Sequence, residues 1–282
     1  MSDRGGSGNR GRDRPSLSAL RDLLRRARTD ADLESVIRNC RGDGRAGARD
    51  LEERAKRRLE RNGRERERMA RLLALRDELL GRGVRGIAGV DEVGVGPLAG
   101  PVVAAAVVLP ERVDLVDIDD SKRVRPARRR SLAVEIRQVA IGVGLGEVGV
   151  EEIDQIGIHH AALEAMRRAV ASLARTTEVG HLLVDARTVP GVGLPQTSIV
   201  KGDQKDASIA AASIVAKVHR DELMERLGRR YPAYGFERHM GYGTAFHMAA
   251  LETHGPCPVH RRSFAPVEQA ARRCTDGAPA SA

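Results

Sequence analysis

From residue 86 onward, short apolar runs of strand length alternate with longer segments whose apolar residues recur at helical spacing. This alternation predicts an α/β domain. Strands are expected at 86–91, 102–109, 139–148, 181–185 and 197–200, and helices at 126–138, 151–156, 159–174 and 207–230. The first three strands come before any long crossover, so hairpin pairing and a mixed sheet are expected. Upstream, Ser16 is placed to cap a helix carrying Leu17, Leu20, Leu23 and Leu24, and a second helical stretch with dense alternating charge runs from about Arg49 through Leu80. Gly81 and Gly83 close it and mark a linker. The expected organisation is a Gly- and Arg-rich disordered tail at 1–15, a basic helical extension at 16–84, the α/β domain at 85–268, and a disordered tail at 269–282.

Composition refines this picture. The 282 residues are 41% hydrophobic with no Trp, so the core should be aliphatic. All six aromatic residues lie between Tyr231 and Phe264, where they either build a local core or offer stacking surfaces. The net charge of +9 is confined to the first 86 residues, which hold 24 Lys and Arg against 15 Asp and Glu. Such an arm attracts a polyanion, and nucleic acid is the expected one; the bland alternative is a solvated arginine-rich helix. Three cysteines, Cys40, Cys257 and Cys274, show no paired CxxC spacing, so a reducing cytoplasm is expected and no disulfide framework. No apolar run reaches membrane-spanning length. The spacing of His254, Cys257 and His260 is ligand-like, but the prolines at 256 and 258 and the missing second cysteine pair argue against zinc.

The run GIAGVDEVGVGPLAGPVVAAAVVL at 86–109 carries the chemistry, because it sets Asp91 and Glu92 at the end of an apolar strand. Buried carboxylates need cations or donors. Asp185 ends the strand HLLVD, Asp203 follows SIVKG, and Asp206 lies just beyond. Neighbouring strand ends converge, so these carboxylates can form one cluster, and all-oxygen ligation suits Mg²⁺ or Mn²⁺. Successive side chains on an ideal strand face opposite ways, so the strand is expected to end or twist at Glu92, helped by Gly94 and Gly96.

At this point a resemblance becomes specific. GVDEVG-x-GPLAGPVV, DDSK at 119–122, VDA at 184–186, KGDQK at 201–205, SIAAASIVAKVHRD at 208–221, HMGYGT at 239–244 and HRRSF at 260–264 stand in the order found in bacterial ribonuclease HII, and residues 86–268 resemble that family. The resemblance implies a ribonuclease H-like mixed sheet flanked by helices, with a C-terminal helical lobe beside the N-terminal basic helical extension. It implies an endoribonuclease acting on RNA/DNA hybrids and on ribonucleotide-containing duplex DNA, with cleavage 5′ of the ribonucleotide and 5′-phosphate and 3′-hydroxyl products. It places the catalytic and metal-binding set on Asp91, Glu92, Asp185 and Asp203, with two Mn²⁺ or Mg²⁺ ions as cofactors. It also implies 2′-hydroxyl readout by the turn Gly94, Val95 and Gly96 and by Tyr242, whose alternative role is a core residue of the lobe. Ser121, Lys122, Lys201 and Lys205 are candidate phosphate contacts.

Two positions depart from the pattern: Val95 stands where a basic residue is usual in the turn, and Met240 where lysine is common. Both remove positive charge, and the basic arm is expected to compensate. A monomer is expected. The resemblance leaves room for a sliding-clamp contact, which no motif in the chain establishes. Two competing readings are a diverged hybrid-binding protein with weak or no cleavage, and an RNA-binding protein driven by the arginine arm alone. Four mutually repelling carboxylates favour the enzyme, since a pure binder gains nothing from them.

Overall fold

The computed structural model describes residues 14–113 and 115–276. The expected tail up to residue 13 and residues 277–282 therefore lie outside the described residues. The chain divides into two compact units, Met1–Ala70 and Arg71–Ala282.

The first unit is built from α1 (Leu17–Arg26), α2 (Asp30–Cys40) and the start of α3 (Ala46–Gly81). Ser16 caps α1 by accepting from the Ala19 amide, as its position suggested. The second helix was not foreseen, although Thr29 and Asp32 are spaced as a capping box and each accepts the other's backbone amide. Leu20, Leu24, Leu33, Val36, Leu51 and Ala55 form its small core.

The sequence places the end of the extension at residue 84, whereas the last turns of α3 belong to the second unit. Arg76 explains this. It is 2% exposed and donates to the carbonyls of Leu109 (3.2 Å), Pro110 and Glu111 (3.3 Å), while Leu79 packs with Ile87, Leu183 and Ile209.

The second unit is organised by a five-stranded mixed sheet of order β3-β2-β1-β4-β5. Its strands are β1 (Ile87–Val93), β2 (Val102–Val108), β3 (Gly142–Val148), β4 (His181–Asp185) and β5 (Gln196–Ile199). The first three pair antiparallel, and β4 and β5 run parallel to β1. Helix α4 (Pro126–Val139) runs into the segment expected to begin the third strand, which starts only at Gly142. Helices α5 (Val150–Ile156) and α6 (Ile158–Leu173) cover one face, where Ala161, Ala165 and Ala169 pack on Ala88, Val90, Ala104 and Ala106. The helix backbone comes so close that a Cβ on Gly144 or Gly146 would lie 2.2 or 2.1 Å from the carbonyl oxygens of Ala169 and Ala165.

On the other face lies α7 (Ala207–Arg230), buried along all of 207–216, where Ala and Ile dominate and Ser208 and Ser213 are the polar exceptions. It approaches β1 at Gly89, where a Cβ would lie 2.0 Å from the Ser208 carbonyl carbon.

The C-terminal lobe consists of α8 (Phe236–His239), α9 (Ala245–His254) and α10 (Ala265–Asp276). The tail expected to be disordered from 269 is thus helical through Asp276, because Val267 and Ala270 are buried in the lobe's core. The aromatic cluster is split between its two possible uses. Tyr234 and Phe236 stack at 5.4 Å inside the core, while Tyr242 and Phe246 are 42% and 50% exposed. His247 and His260 share a 3.0 Å contact between their Nε2 atoms, and the Cys257 amide donates to His260 Nδ1 at 3.0 Å. The His254, Cys257 and His260 spacing therefore serves packing and hydrogen bonding.

Burial, reinforced by His247, pushes His260 down from its ordinary 6.5 to about 4. The unfolded chain then binds a proton that the folded lobe refuses, so stability present above pH 6.5 is lost as pH falls towards 4. The loss approaches an amount on the order of 3 kcal/mol. Urea unfolding should show this acid limb in the wild type and a shallower one in His260→Gln; equal limbs would show that another group is responsible.

Candidate active site

Pairing between β1 and β4 stops at Val90 and Val184, which brings Asp91 and Asp185 to the carboxyl ends of adjacent parallel strands. Of the two expectations for Glu92, an end or a twist of the strand, the end is not met, since β1 continues through Val93. Asp91 and Glu92 nevertheless line one cavity of ≈ 310 Å³ with Asp185, Asp203, Ser121, Lys122 and Tyr242. Beyond Val90 the β4 side of β1 is open, so side chains of opposite parity both reach the space in front of the strand ends.

Each carboxylate is held differently. Asp91 is 6% exposed, and its Oδ1 accepts from the Glu92 amide at 2.8 Å. Burial first, then the Glu92 charge, pushes its carboxyl well above the usual range. Glu92 is also raised by burial, against the pull of Arg187, and its Oε2 is buried without a hydrogen-bond partner among the described residues. Asp185 Oδ1 accepts from the Gly202 amide at 2.7 Å. Asp203 stands on a single 3₁₀ turn at Gly202–Gln204, and burial with the Asp120 and Asp185 charges raises it to about 6. Asp206 is apart from this group: it caps α7, accepting from the Ser208 and Ile209 amides at 2.8 and 3.0 Å.

Among the described residues no three His, Cys, Asp or Glu side chains converge into a ready-made metal cage. Like charges at these strand ends repel, which favours a spread arrangement in the absence of cations. The donor set still fits a hard divalent cation, since it is all oxygen and includes the orphaned Glu92 Oε2.

The turn after β1 is fastened from behind. Arg261, fully buried, donates to the carbonyls of Gly94 (2.6 Å), Val95 (2.9 Å) and Gly100 (3.0 and 2.9 Å). Arg220, also fully buried, donates to Pro101, Met240 and Ala99 at 2.9, 3.0 and 3.1 Å. A Cβ on Gly94, whose φ is +90°, would lie 2.2 Å from Arg220 Nε, so this position admits only glycine.

Gly94, Val95, Gly96 and Lys201 are not part of the cavity wall. The Val95 side chain packs against the sheet core, and the Val95 and Gly96 amides make no hydrogen bond among the described residues. Gly96 is nonetheless next to the site, since a Cβ there would lie 3.7 Å from Tyr242 Cε1. Lys201 is exposed in a left-handed conformation.

Four cavity residues were missed, Val93 at the end of β1 among them. Arg129 comes from α4, and Ser213 and Lys217 lie one turn apart on α7. Arg129 and Lys217 both pair with Asp221, at 3.1 and 2.5 Å, and the Ser213 hydroxyl donates to Ser121 Oγ at 3.0 Å. The i, i+4, i+8 spacing of Ser213, Lys217 and Asp221 within SIVAKVHRD was the available signal.

A ribonuclease H-like sheet with carboxylates at the ends of its central strands defines the class: a nuclease whose acidic site calls for divalent cations. A profile described as ribonuclease HII matches residues 88–267. Ribonuclease HII of Myxococcus xanthus is 51% identical over 267 residues, covering 94% of this chain and 90% of its own. That of Geobacillus thermodenitrificans is 54% identical over 205 residues, 73% of this chain and 78% of its own. Among solved structures, ribonuclease H2 from Pyrococcus horikoshii superposes with a TM-score of 0.58 at 25% identity, covering 68% of this chain and 99% of that one. The chain belongs to the ribonuclease HII family and is a metal-dependent endoribonuclease of type 2.

Two outcomes follow from this geometry. Because the raised Asp91 carboxyl penalises the charged form, Asp91→Asn should stabilise the metal-free protein at pH 8, with the gain vanishing as pH falls below the Asp91 pKa; Mn²⁺ should raise the melting temperature of the wild type more than that of the variant. Arg261→Met should cost about 3–5 kcal/mol in urea unfolding, and Arg261→Lys should recover only part of it because an ammonium lacks the guanidinium fork.

Proposed function

We propose that the chain hydrolyses the RNA strand of RNA/DNA hybrids and cuts duplex DNA on the 5′ side of a single ribonucleotide, leaving 5′-phosphate and 3′-hydroxyl ends. The observation that carries this reading is that Asp91, Glu92, Asp185 and Asp203 line one cavity, with a Glu92 oxygen that has no hydrogen-bond partner among the described residues. These four would hold two Mg²⁺ or Mn²⁺ ions, which when bound supply Lewis-acid stabilisation of the attacked phosphate and its leaving oxygen. A Mn²⁺ complex of a ribonuclease HIII from a 19% identical chain shares the fold.

The chain's own residues do the rest. Lys122 and Ser121 face the cavity and offer a cation and a hydroxyl to phosphate oxygens. Lys217 and Arg129, held by Asp221, add positive charge on the α7 side. The Val95 and Gly96 amides and the Gly96 carbonyl make no hydrogen bond among the described residues and are groups of the turn that can meet a 2′-hydroxyl, whereas the carbonyls of Gly94 and Val95 are taken by Arg261. The exposed Tyr242 ring beside Gly96 supplies a flat apolar surface for the neighbouring sugar. Readout by backbone also accounts for Val95, whose inward side chain leaves these amides exposed to substrate.

The acids argue against a binding-only protein, because their mutual repulsion weakens attraction for a polyanion unless cations are held. A complex titled PCNA:RNase HII from Archaeoglobus fulgidus, 27% identical with a TM-score of 0.52 over 62% of this chain and 92% of that one, supports a sliding clamp as a further partner class. The free, buried thiols of Cys40 and Cys257 support a reducing, cytoplasmic setting.

With Mg²⁺ or Mn²⁺ and a DNA duplex carrying one ribonucleotide, the wild type should make one cut on its 5′ side. Asp91→Asn and Asp185→Asn should lower kcat by a factor on the order of a thousand. A wild type that binds the duplex and leaves it intact in both metals would overturn the reading.

A further inference from the structure

Two faces of the N-terminal unit form a groove in which positive charge has been gathered and acid excluded. Arg21, Leu24 and Arg25 from α1 face Leu51, Arg54, Arg57, Arg58 and Arg61 from α3 across an open cleft of ≈ 820 Å³. No carboxylate lines it. This is unlike the rest of α3, where Lys56 pairs with Glu52 and Glu53, Arg64 with Glu60, and Arg68 with Glu65. Among the described residues Asp22 and Asp50 pair with Arg25 and Arg54, at 2.8 and 3.7 Å. Arg21, Arg57 and Arg61 are exposed and make no ion pair among the described residues.

One of the six is structural. Arg58 is half-buried and donates to the carbonyls of Leu24 (3.4 Å) and Ala27 (2.9 Å), closing the end of α1. The other five do nothing for the unit's core, which is aliphatic. Guanidinium groups brought together this way repel one another, so the arrangement is selected for what it meets in solution.

We infer that this groove is a second nucleic-acid contact, taking the phosphodiester backbone of a duplex. The identity of the occupant rests on the nuclease reading above. Arg54 to Arg61 spans about 10 Å of helix, a length along which a duplex carries about six phosphate charges. Planar forks are suited to phosphate oxygens in pairs. A concave cleft with its leucines at the floor, Leu24 and Leu51 being buried, fits a rounded polyanionic strand better than a flat lipid surface, which would require apolar side chains projecting outwards.

The test uses the full chain, an all-DNA duplex and EDTA, so that neither cleavage nor metal enters the reading. Fluorescence anisotropy across a salt series gives the slope of log K against log salt. The triple variant R21Q/R57Q/R61Q should lower the magnitude of that slope by about 2 to 3, and the R21K/R57K/R61K variant, which retains the charges, should keep it. Circular dichroism on both variants checks the helices, and Arg229→Gln on the second unit gives the effect of removing an exposed arginine elsewhere. A slope unchanged in the triple glutamine variant overturns the inference. So does tighter wild-type binding to phosphatidylserine vesicles than to the duplex, lost in that variant. A wild type that fails to cut a ribonucleotide-containing duplex yet shows the slope difference overturns the nuclease reading and leaves the groove as a nucleic-acid site.

Discussion

Two buried guanidinium groups, Arg220 and Arg261, hold the site together, and both are compensated by backbone carbonyls. Burial lowers Arg220 to about 10 and Arg261 to about 9, yet both remain charged at neutral pH. Such a charge is tolerable only where several acceptors converge, so the loop from Gly94 to Pro101 is obliged to turn its carbonyls inward. That orientation has a consequence on the other side of the loop, where the amides of Val95 and Gly96 have no partner among the described residues. The same arginines tie the loop to α7 and to the C-terminal lobe, through the Met240 carbonyl and the 2.9 Å bond from the Arg261 amide to Leu98. The strand bearing the acids, the turn beside them and the lobe bearing Tyr242 are thereby one construction.

Within that frame the carboxylates are a deliberate weakness. Asp91 and Asp203 are both raised by burial and by their acidic neighbours, and Glu92 keeps an oxygen without a partner among the described residues. An apolar set of residues at the strand ends would be more stable, and the aliphatic layers behind them, Ala104 to Ala106 on β2 and Ala210 to Ala212 on α7, supply the stability this arrangement gives up. A site that is uncomfortable when metal-free binds cations more tightly, because their arrival removes the repulsion.

Much of the sheet was legible, since β2 is an unbroken apolar run, β1 and β4 carry apolar runs up to their acids, and the helices carry apolar residues at helical spacing. The limits of α7 follow from Asp206 as a cap and from Tyr231, where the chain leaves helical geometry. What escaped was set by long-range contact. The C-terminal helix α10 holds Val267 and Ala270 among few other apolar residues, so its burial depends on Met224 and Phe236, which are distant in sequence. Gly81 and Gly83 are real punctuation at the end of α3, while the packing of Arg76 on the carbonyls of 109–111, which ties the last turns of that helix to the second unit, leaves no local trace. The four acids could be grouped from their place at strand ends and from the family motifs. Arg220 and Arg261 stood inside two of those motifs, VHRD and HRRSF, but a lone arginine in sequence gives no sign that it will be buried against carbonyls.

The position of Val95 shows how the scaffold and the chemistry are separated. A basic side chain there would add a phosphate contact, whereas valine packs against Ala88, Val90 and their neighbours and strengthens the base of the turn. On the proposed reading the 2′-hydroxyl is met by backbone groups of the turn, and Arg261 holds that turn through the Gly94 and Val95 carbonyls, contacts that do not involve the side chain at position 95. On that reading, charge lost at the turn would lower attraction for every duplex alike and leave the choice between ribose and deoxyribose intact. Affinity can then be supplied by any surface that meets the same backbone, and arginines on a separate helical unit are free to do so because their number and placement are not constrained by the geometry of the cut.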